Sequence, residues 1–201
     1  MQEQFIHIDQ DLFLAINQGL GNPFFDWLLP ILRNPYAWAP LYLFLVVFFI
    51  RQYGKMGILV VVFALASAGT SDAVSSHLVK KSVKRLRPCN EPGFKEFVHA
   101  RAGCGGAFSF TSSHAANHFS MAFFWIALFR KRWKHTLWLC MAWASLISFS
   151  QIYVGVHYPA DIICGALLGV LIGTGMGYLF KRFFSDFFSD NPTSPTTATS
   201  T

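Results

Sequence analysis

Ser150–Asp161 reads SQIYVGVHYPAD and joins two apolar blocks, Trp138–Val154 and Ile162–Phe180. Proline is tolerated in the first turn of a helix, where its missing N–H costs nothing, but not further in. Pro159 therefore predicts a last helix that starts just past His157. The histidine then stands on the preceding turn, four residues before Asp161. This places an imidazole and a carboxylate where apolar chain gives way to polar chain.

Outward from this turn lie three more apolar blocks, Tyr36–Ile50, Met56–Val79 and Ser112–Phe129. A helix needs about 17–25 residues to cross the hydrocarbon core of a bilayer. Only Tyr36–Ile50 is too short, and it draws on its flanks. Charged residues make up 13% of the chain, against about 25% in soluble domains. The expected fold is all-α: a polytopic membrane helical bundle with five to six transmembrane helices. A soluble bundle does not fit this composition.

Residues 1–35 are expected to form an N-terminal interfacial or re-entrant helical hairpin. Its stretches DLFLAINQGL and NPFFDWLLPIL are separated by Gly19, Gly21, Asn22 and Pro23. A tilted crossing by Pro23–Leu32 would supply the sixth span. Early Glu3, Asp9 and Asp11, with no basic leader, speak against a cleavable signal peptide. Residues 36–183 form the transmembrane core, with a polar loop at 80–111. Residues 184–201, rich in Ser, Thr and Pro, read as a disordered tail.

The net charge is +6. In a membrane protein this belongs to loops, and no nucleic-acid partner is expected. With five long spans, Lys and Arg divide evenly between the two sides, so the positive-inside rule alone does not orient the chain. RKRWKH (Arg130–His135) resembles a dense cytoplasmic turn, whereas the cations of loop 80–111 have another task. The protein is expected in the cell membrane, multi-pass, with loop 80–111 extracytoplasmic. On that side Cys89 and Cys104 are free either to bridge or to remain thiols. Cys140 and Cys164 lie in spans as packing residues. Oligomeric state is left open.

Three segments bring polar groups to the loop side: Lys80–Pro88, Phe110–His118 and Ser150–Asp161. Lys80 and Arg87 are cations. Ser112 and Ser113 precede His114 at a helix start, where free N–H groups and hydroxyls suit an anion such as phosphate. A carboxylate on one ring nitrogen of His157 leaves the other free to attack. His114 can protonate a leaving alkoxide. A lipid's phosphate lies at the headgroup level, which is where such a site would meet it.

These residues resemble the type 2 phosphatidic acid phosphatase family of membrane lipid phosphatases, whose fold is shared with vanadium haloperoxidases. Lys80 with Arg87-Pro88 matches the first family motif, Ser112 with His114 the second, and Ser150, His157 and Asp161 the third. The resemblance implies that His157 is the nucleophile, oriented by Asp161, and that His114 is the acid. It places phosphate among Lys80, Arg87, Ser112, Ser113, Ser150 and Gln151, with no metal and no cofactor. The implied activity is hydrolysis of a phosphate or diphosphate from a lipid headgroup through a phosphohistidine. Undecaprenyl diphosphate, phosphatidate, phosphatidylglycerol phosphate and lipid A phosphates are all candidate substrates. Phosphotransfer to an acceptor lipid and non-catalytic lipid binding are the alternatives.

The chain departs from the pattern at Thr111, where the family has Pro, at Ser113, where it has Gly, and at Gln151, where it has Arg. The last change removes a phosphate cation. Lys84, Arg85 and Arg101 are long enough to replace it. Elsewhere, Asp72 is expected to make an interhelical hydrogen bond, and His118 to be a packing residue and not a metal ligand. Gly165, Gly169, Gly173 and Gly177 repeat every four residues, a smooth stripe for close helix contact within the chain.

Overall fold

The computed structural model describes residues 2–185. The tail from 186 onward, which holds most of 184–201, lies outside the described residues. The described chain is helical: α1 (Gln2–Asn17), α2 (Pro23–Leu32), α3 (Ala39–Ala73), α4 (Lys80–Val83), α5 (Ser113–Phe129), α6 (Thr136–Tyr153) and α7 (Pro159–Phe183). It contains no strand, and the all-α reading holds. A π-helical turn, Val74–Val79, continues α3 into α4.

α3 is two helices folded back on each other. Gly54 breaks it at φ 56°, ψ −129°, a backbone that side-chain-bearing residues rarely adopt. A Cβ on Gly57 would collide with the Phe49 carbonyl, so the two arms touch backbone to backbone. Thus the basic stretch Arg51–Lys55, which separates the blocks Tyr36–Ile50 and Met56–Val79, is a single sharp corner. The expected blocks become the arms 39–53 and 55–83 and the helices α5, α6 and α7.

The outer surface is apolar. Leu43, Phe44, Val62, Leu65, Leu139 and Leu171 are each more than half exposed or nearly so. A water-soluble monomer rarely shows a continuous apolar belt of this kind. Among the described residues two segments, Pro35–Val83 and Pro159–Phe183, are long and apolar enough to cross a membrane. α2, at 10 residues, is about 15 Å long and falls short of the hydrocarbon core.

α5 is the central helix, packed on α7, α6 and α3. The glycine stripe of α7 makes its closest contact. A Cβ on Gly165 would stand 2.6 Å from the Ser112 carbonyl, and one on Gly169 or Gly173 would strike the Ala116 or Ser120 carbonyl. The stripe is therefore used inside the chain, as expected. This contact sets the height of His114 on α5 against Asp161 on α7. Overpacking a close contact costs about 1–3 kcal/mol even where side chains yield, and here the obstacle is backbone. Gly173→Leu should therefore lower the unfolding midpoint in detergent and cost activity through the site's geometry. A midpoint and a rate equal to wild type would show that α7 does not need this approach.

Candidate active site

α5 begins where the sequence places it. Ser112 is the N-cap, its hydroxyl accepting from the Ala115 N–H at 3.4 Å. Its own N–H donates to the Asp161 carbonyl at 3.1 Å, which ties the start of α5 to the start of α7. α7 begins at Pro159, with Tyr158 as N-cap. Asp161 Oδ2 accepts from the Tyr158 N–H at 2.9 Å, fixing the turn that carries His157.

The ends of loop 80–111 are drawn together. Arg87 N–H donates to the Ala107 carbonyl at 3.3 Å, and Ser109 N–H to the Arg85 carbonyl at 2.8 Å. Beyond this clasp Cys89 and Cys104 form a disulfide, with Cα atoms 6.0 Å apart. Arg87 donates from Nε to the Phe108 carbonyl at 3.3 Å and from one terminal nitrogen to the Cys104 carbonyl at 2.8 Å. These bonds fix one edge of the guanidinium. Lys80 is half-buried, whereas neighbouring Lys81 is exposed. Lys80 lies within electrostatic range of Arg87 and Asp161.

His157 and Asp161 are both fully enclosed, at 1% and 0% exposure. His157 Nδ1 stands 3.5 Å from Asp161 Oδ2, long for a hydrogen bond, and has no other partner. Burial, the largest influence, pushes the imidazole down to about 4; Asp161 pulls it upward, and Arg87 and Lys80 push it down. At neutral pH the ring is therefore uncharged. With Nδ1–H directed at the carboxylate, Nε2 keeps its lone pair. His114 lies within electrostatic range of His157 and Lys80. The three motif segments thus meet at one end of the bundle.

Not every expected side chain points there. Ser150 Oγ donates to the Ile147 carbonyl of its own helix at 2.7 Å. Ser113 Oγ bonds with Ser75 and Ser76 at 2.9 and 3.0 Å. Gln151 is fully buried, and neither atom of its amide has a protein partner; nor does the hydroxyl of buried Thr111. Unpartnered buried polar atoms are rare and call for an explanation.

Arg85 and Arg101 do not fill the gap at Gln151. Arg85 bridges Asp9 Oδ2 at 2.7 Å and Asp161 Oδ1 at 3.1 Å, with its guanidinium over the Tyr158 ring. Arg101 pairs with Asp26, lies over the Tyr153 ring and donates to the Asn17 carbonyl at 2.6 Å. Both cations are committed to structure.

The N-terminal hairpin is part of the site's frame, which sequence reasoning missed. Asp9 also accepts from the Ala160 N–H at 2.9 Å, so α1 holds Arg85 and the first turn of α7 together. Asp9, Phe13 and Asn17 are all buried. Their four-residue spacing puts them on one helix face, and that stripe was the available signal. Of the other expectations, Asp72 accepts from Asn117 Nδ2 at 3.2 Å, joining α3 to α5. His118 donates from Nδ1 to the His114 carbonyl at 2.8 Å and packs on Trp143.

The PAP2 superfamily pattern matches residues 55–185. The chain belongs to this superfamily. It is 35% identical over 172 residues to the lipid A 4'-phosphatase of Bacteroides thetaiotaomicron, covering 84% of this chain and 75% of that one. The lipid A 4'-phosphatase of Porphyromonas gingivalis is 31% identical over 171 residues, covering 84% and 71%. Among solved structures, the PAP2-type phosphatidylglycerolphosphate phosphatase of Bacillus subtilis superposes with a TM-score of 0.66 at 21% identity, covering 89% of this chain and 87% of that one. The all-α membrane phosphatase fold is thereby shown.

Proposed function

We propose that this PAP2 lipid phosphatase removes a phosphate monoester from lipid A. The observation that carries the reading is the enclosed His157–Asp161 pair within electrostatic range of two cations of the Lys80–Pro88 segment, with His114 of the α5 segment beside them. Arg87 and Lys80 neutralise the phosphate. His157 Nε2 attacks phosphorus, and the bond to the ester oxygen breaks. His114 delivers its proton to that oxygen, and the dephosphorylated lipid leaves. His114, now a base, takes a proton from water. The hydroxide cleaves the N–P bond, releasing inorganic phosphate and restoring His157. Asp161 stabilises the positive ring while it is phosphorylated. No step in this sequence calls on a metal.

The choice of lipid A rests on the two relatives of that activity, each aligned over most of this chain. A lipid substrate also suits an apolar groove of about 410 Å³ between α3, α5 and α6. Trp38, Tyr42, Leu45, Trp125 and Trp143 are among its walls. His118, one turn from His114, packs on Trp143 of this wall. A larger cavity, about 990 Å³, lies at the other end of the bundle beside Arg130, Lys131 and Lys181, and the motif residues do not line it.

We place the site on the extracytoplasmic face of the cell membrane. The Cys89–Cys104 disulfide supports this, because such bonds persist in oxidising compartments. The deciding experiment uses purified protein in detergent with EDTA, offered lipid A, phosphatidate, phosphatidylglycerol phosphate and undecaprenyl diphosphate in parallel. Phosphate release should be fastest from lipid A, with loss of one phosphate by mass spectrometry. Preference for another lipid would overturn the substrate, and release from none would overturn the phosphatase reading.

A further inference from the structure

We propose that Arg33, at the C-terminal end of α2, is a phosphate-binding cation of this active site and supplies the charge that Gln151 lacks. This inference rests on the phosphatase reading. The family pattern has a guanidinium at the position of Gln151, and the buried amide found there is uncharged and unpartnered. The obvious substitutes, Arg85 and Arg101, are held by Asp9, Asp161 and Asp26. Lys81 and Lys84 are exposed, which leaves Lys80 and Arg87 as the half-buried cations of the motif segments not held by a carboxylate.

Arg33 is brought to the site by packing on both sides of it. Before it, Leu29 and Leu32 pack with Tyr153, Val154 and Val156 of the turn leading to His157, and with Cys89, two residues past Arg87. After it, Trp38 donates from Nε1 to the Leu32 carbonyl at 2.6 Å, closing the bend. The Trp38 ring meets Trp143 edge-on with centroids 6.2 Å apart, and Trp143 meets His118 at 5.0 Å. The residue between these two anchors is thus held between the His157 turn and the first turns of α5.

Arg33 is half-buried. Among the described residues its guanidinium makes no hydrogen bond or ion pair. Its charge acts on two motif residues from different segments, Arg87 and His114. Arg87 is held below the ordinary arginine value by burial first and by Arg33 next. A half-buried cation within electrostatic range of another cation and with no carboxylate partner is costly unless an anion arrives. Arginine's fork suits a phosphate bidentately. The same geometry gives the N-terminal hairpin a task beyond support.

The test measures vanadate binding directly, by thermal shift and calorimetry on purified protein in detergent, alongside KM and kcat for lipid A. Losing a charge-assisted hydrogen bond should weaken binding at least about tenfold. Arg33→Gln should therefore raise the vanadate Kd and the lipid KM by that factor, with a smaller change in kcat. Arg33→Lys should fall between, keeping the charge but not the fork. Gln151→Arg alone should gain little, because the site already has its cation. In that background Arg33→Gln should cost much less than in wild type, as for two groups doing one job. Wild-type vanadate affinity in Arg33→Gln would overturn the proposal. If Arg33→Gln fails to fold, a marked tightening by Gln151→Arg alone would overturn it, since the site would then have been short of charge. Wild-type protein that binds vanadate but releases phosphate from no lipid would sink the phosphatase reading alone. The Arg33 comparison would still stand, because it is read from binding without turnover.

Discussion

His157→Ala is expected to stop phosphate release while leaving a folded protein. Loss of a covalent nucleophile typically costs on the order of a millionfold in kcat. The reasons for expecting survival of the fold lie in the contacts. The imidazole makes no close hydrogen bond; its Nδ1 is 3.5 Å from Asp161. Asp161 would keep the Tyr158 N–H and Arg85 after the change, so no buried charge is stranded. The glycine stripe and the N-cap of α5, which fix the site's height, do not involve His157. The substitution leaves a ring-sized gap in the turn and little else. Phosphate release and the thermal midpoint should be measured together. A midpoint near wild type with activity also within tenfold of wild type would remove His157 from the nucleophile role. A second readout bears on the intermediate. Phosphorus-labelled lipid, quenched in alkali during turnover, should leave an acid-labile label on the wild-type protein and none on the variant.

Much of this arrangement was legible because it is local. Pro159 announced the start of α7, Ser112 and Ser113 the start of α5, and the four-residue glycine repeat a close helix contact. Each depends on residues within a turn or two of one another. The apolar blocks fell into helices for the same reason. What was hidden is long-range and polar. Asp9 and Arg85 are 76 residues apart, and nothing periodic joins them. Arg85 and Arg101 looked like spare cations because a sequence shows their reach and charge but not the carboxylates of α1 and α2 that claim them. Ser113 and Ser150 looked like phosphate ligands, yet hydroxyls on helices readily bond to nearby backbone or neighbouring serines. The break between the blocks Tyr36–Ile50 and Met56–Val79 is a corner because Gly54 takes a positive φ, which the sequence does not display. The hairpin at residues 1–35 was expected as an interfacial or re-entrant element, and it also contributes Asp9 to the frame of the site.

Asp161→Asn is expected to fold, bind phosphate and lose most of its rate, on the order of 10⁴-fold, as when an orienting carboxylate beside a catalytic histidine is neutralised. The carboxylate accepts from two donors, the Tyr158 N–H at 2.9 Å and Arg85 at 3.1 Å, and stands 3.5 Å from the His157 ring. An amide has one acceptor end and one donor end. If its NH2 faces His157 and Tyr158, it opposes the Tyr158 N–H and favours a ring with the lone pair on Nδ1. The proton then sits on Nε2, the atom that must attack. If the NH2 faces Arg85 instead, two donors meet and Arg85 is left to Asp9 alone. In either orientation the phosphorylated ring loses its countercharge. The pH profile separates these electrostatic effects from simple disorder. The free enzyme needs neutral His157, so kcat/KM should fall on the acid side as the ring takes a proton. Burial already depresses that protonation, and Asp161 opposes the depression. Removing the carboxylate's charge should therefore move the acid limb to still lower pH even as the plateau drops. A lower plateau with the acid limb unmoved or shifted upward would mean that Asp161 supports the turn and not the charge on His157.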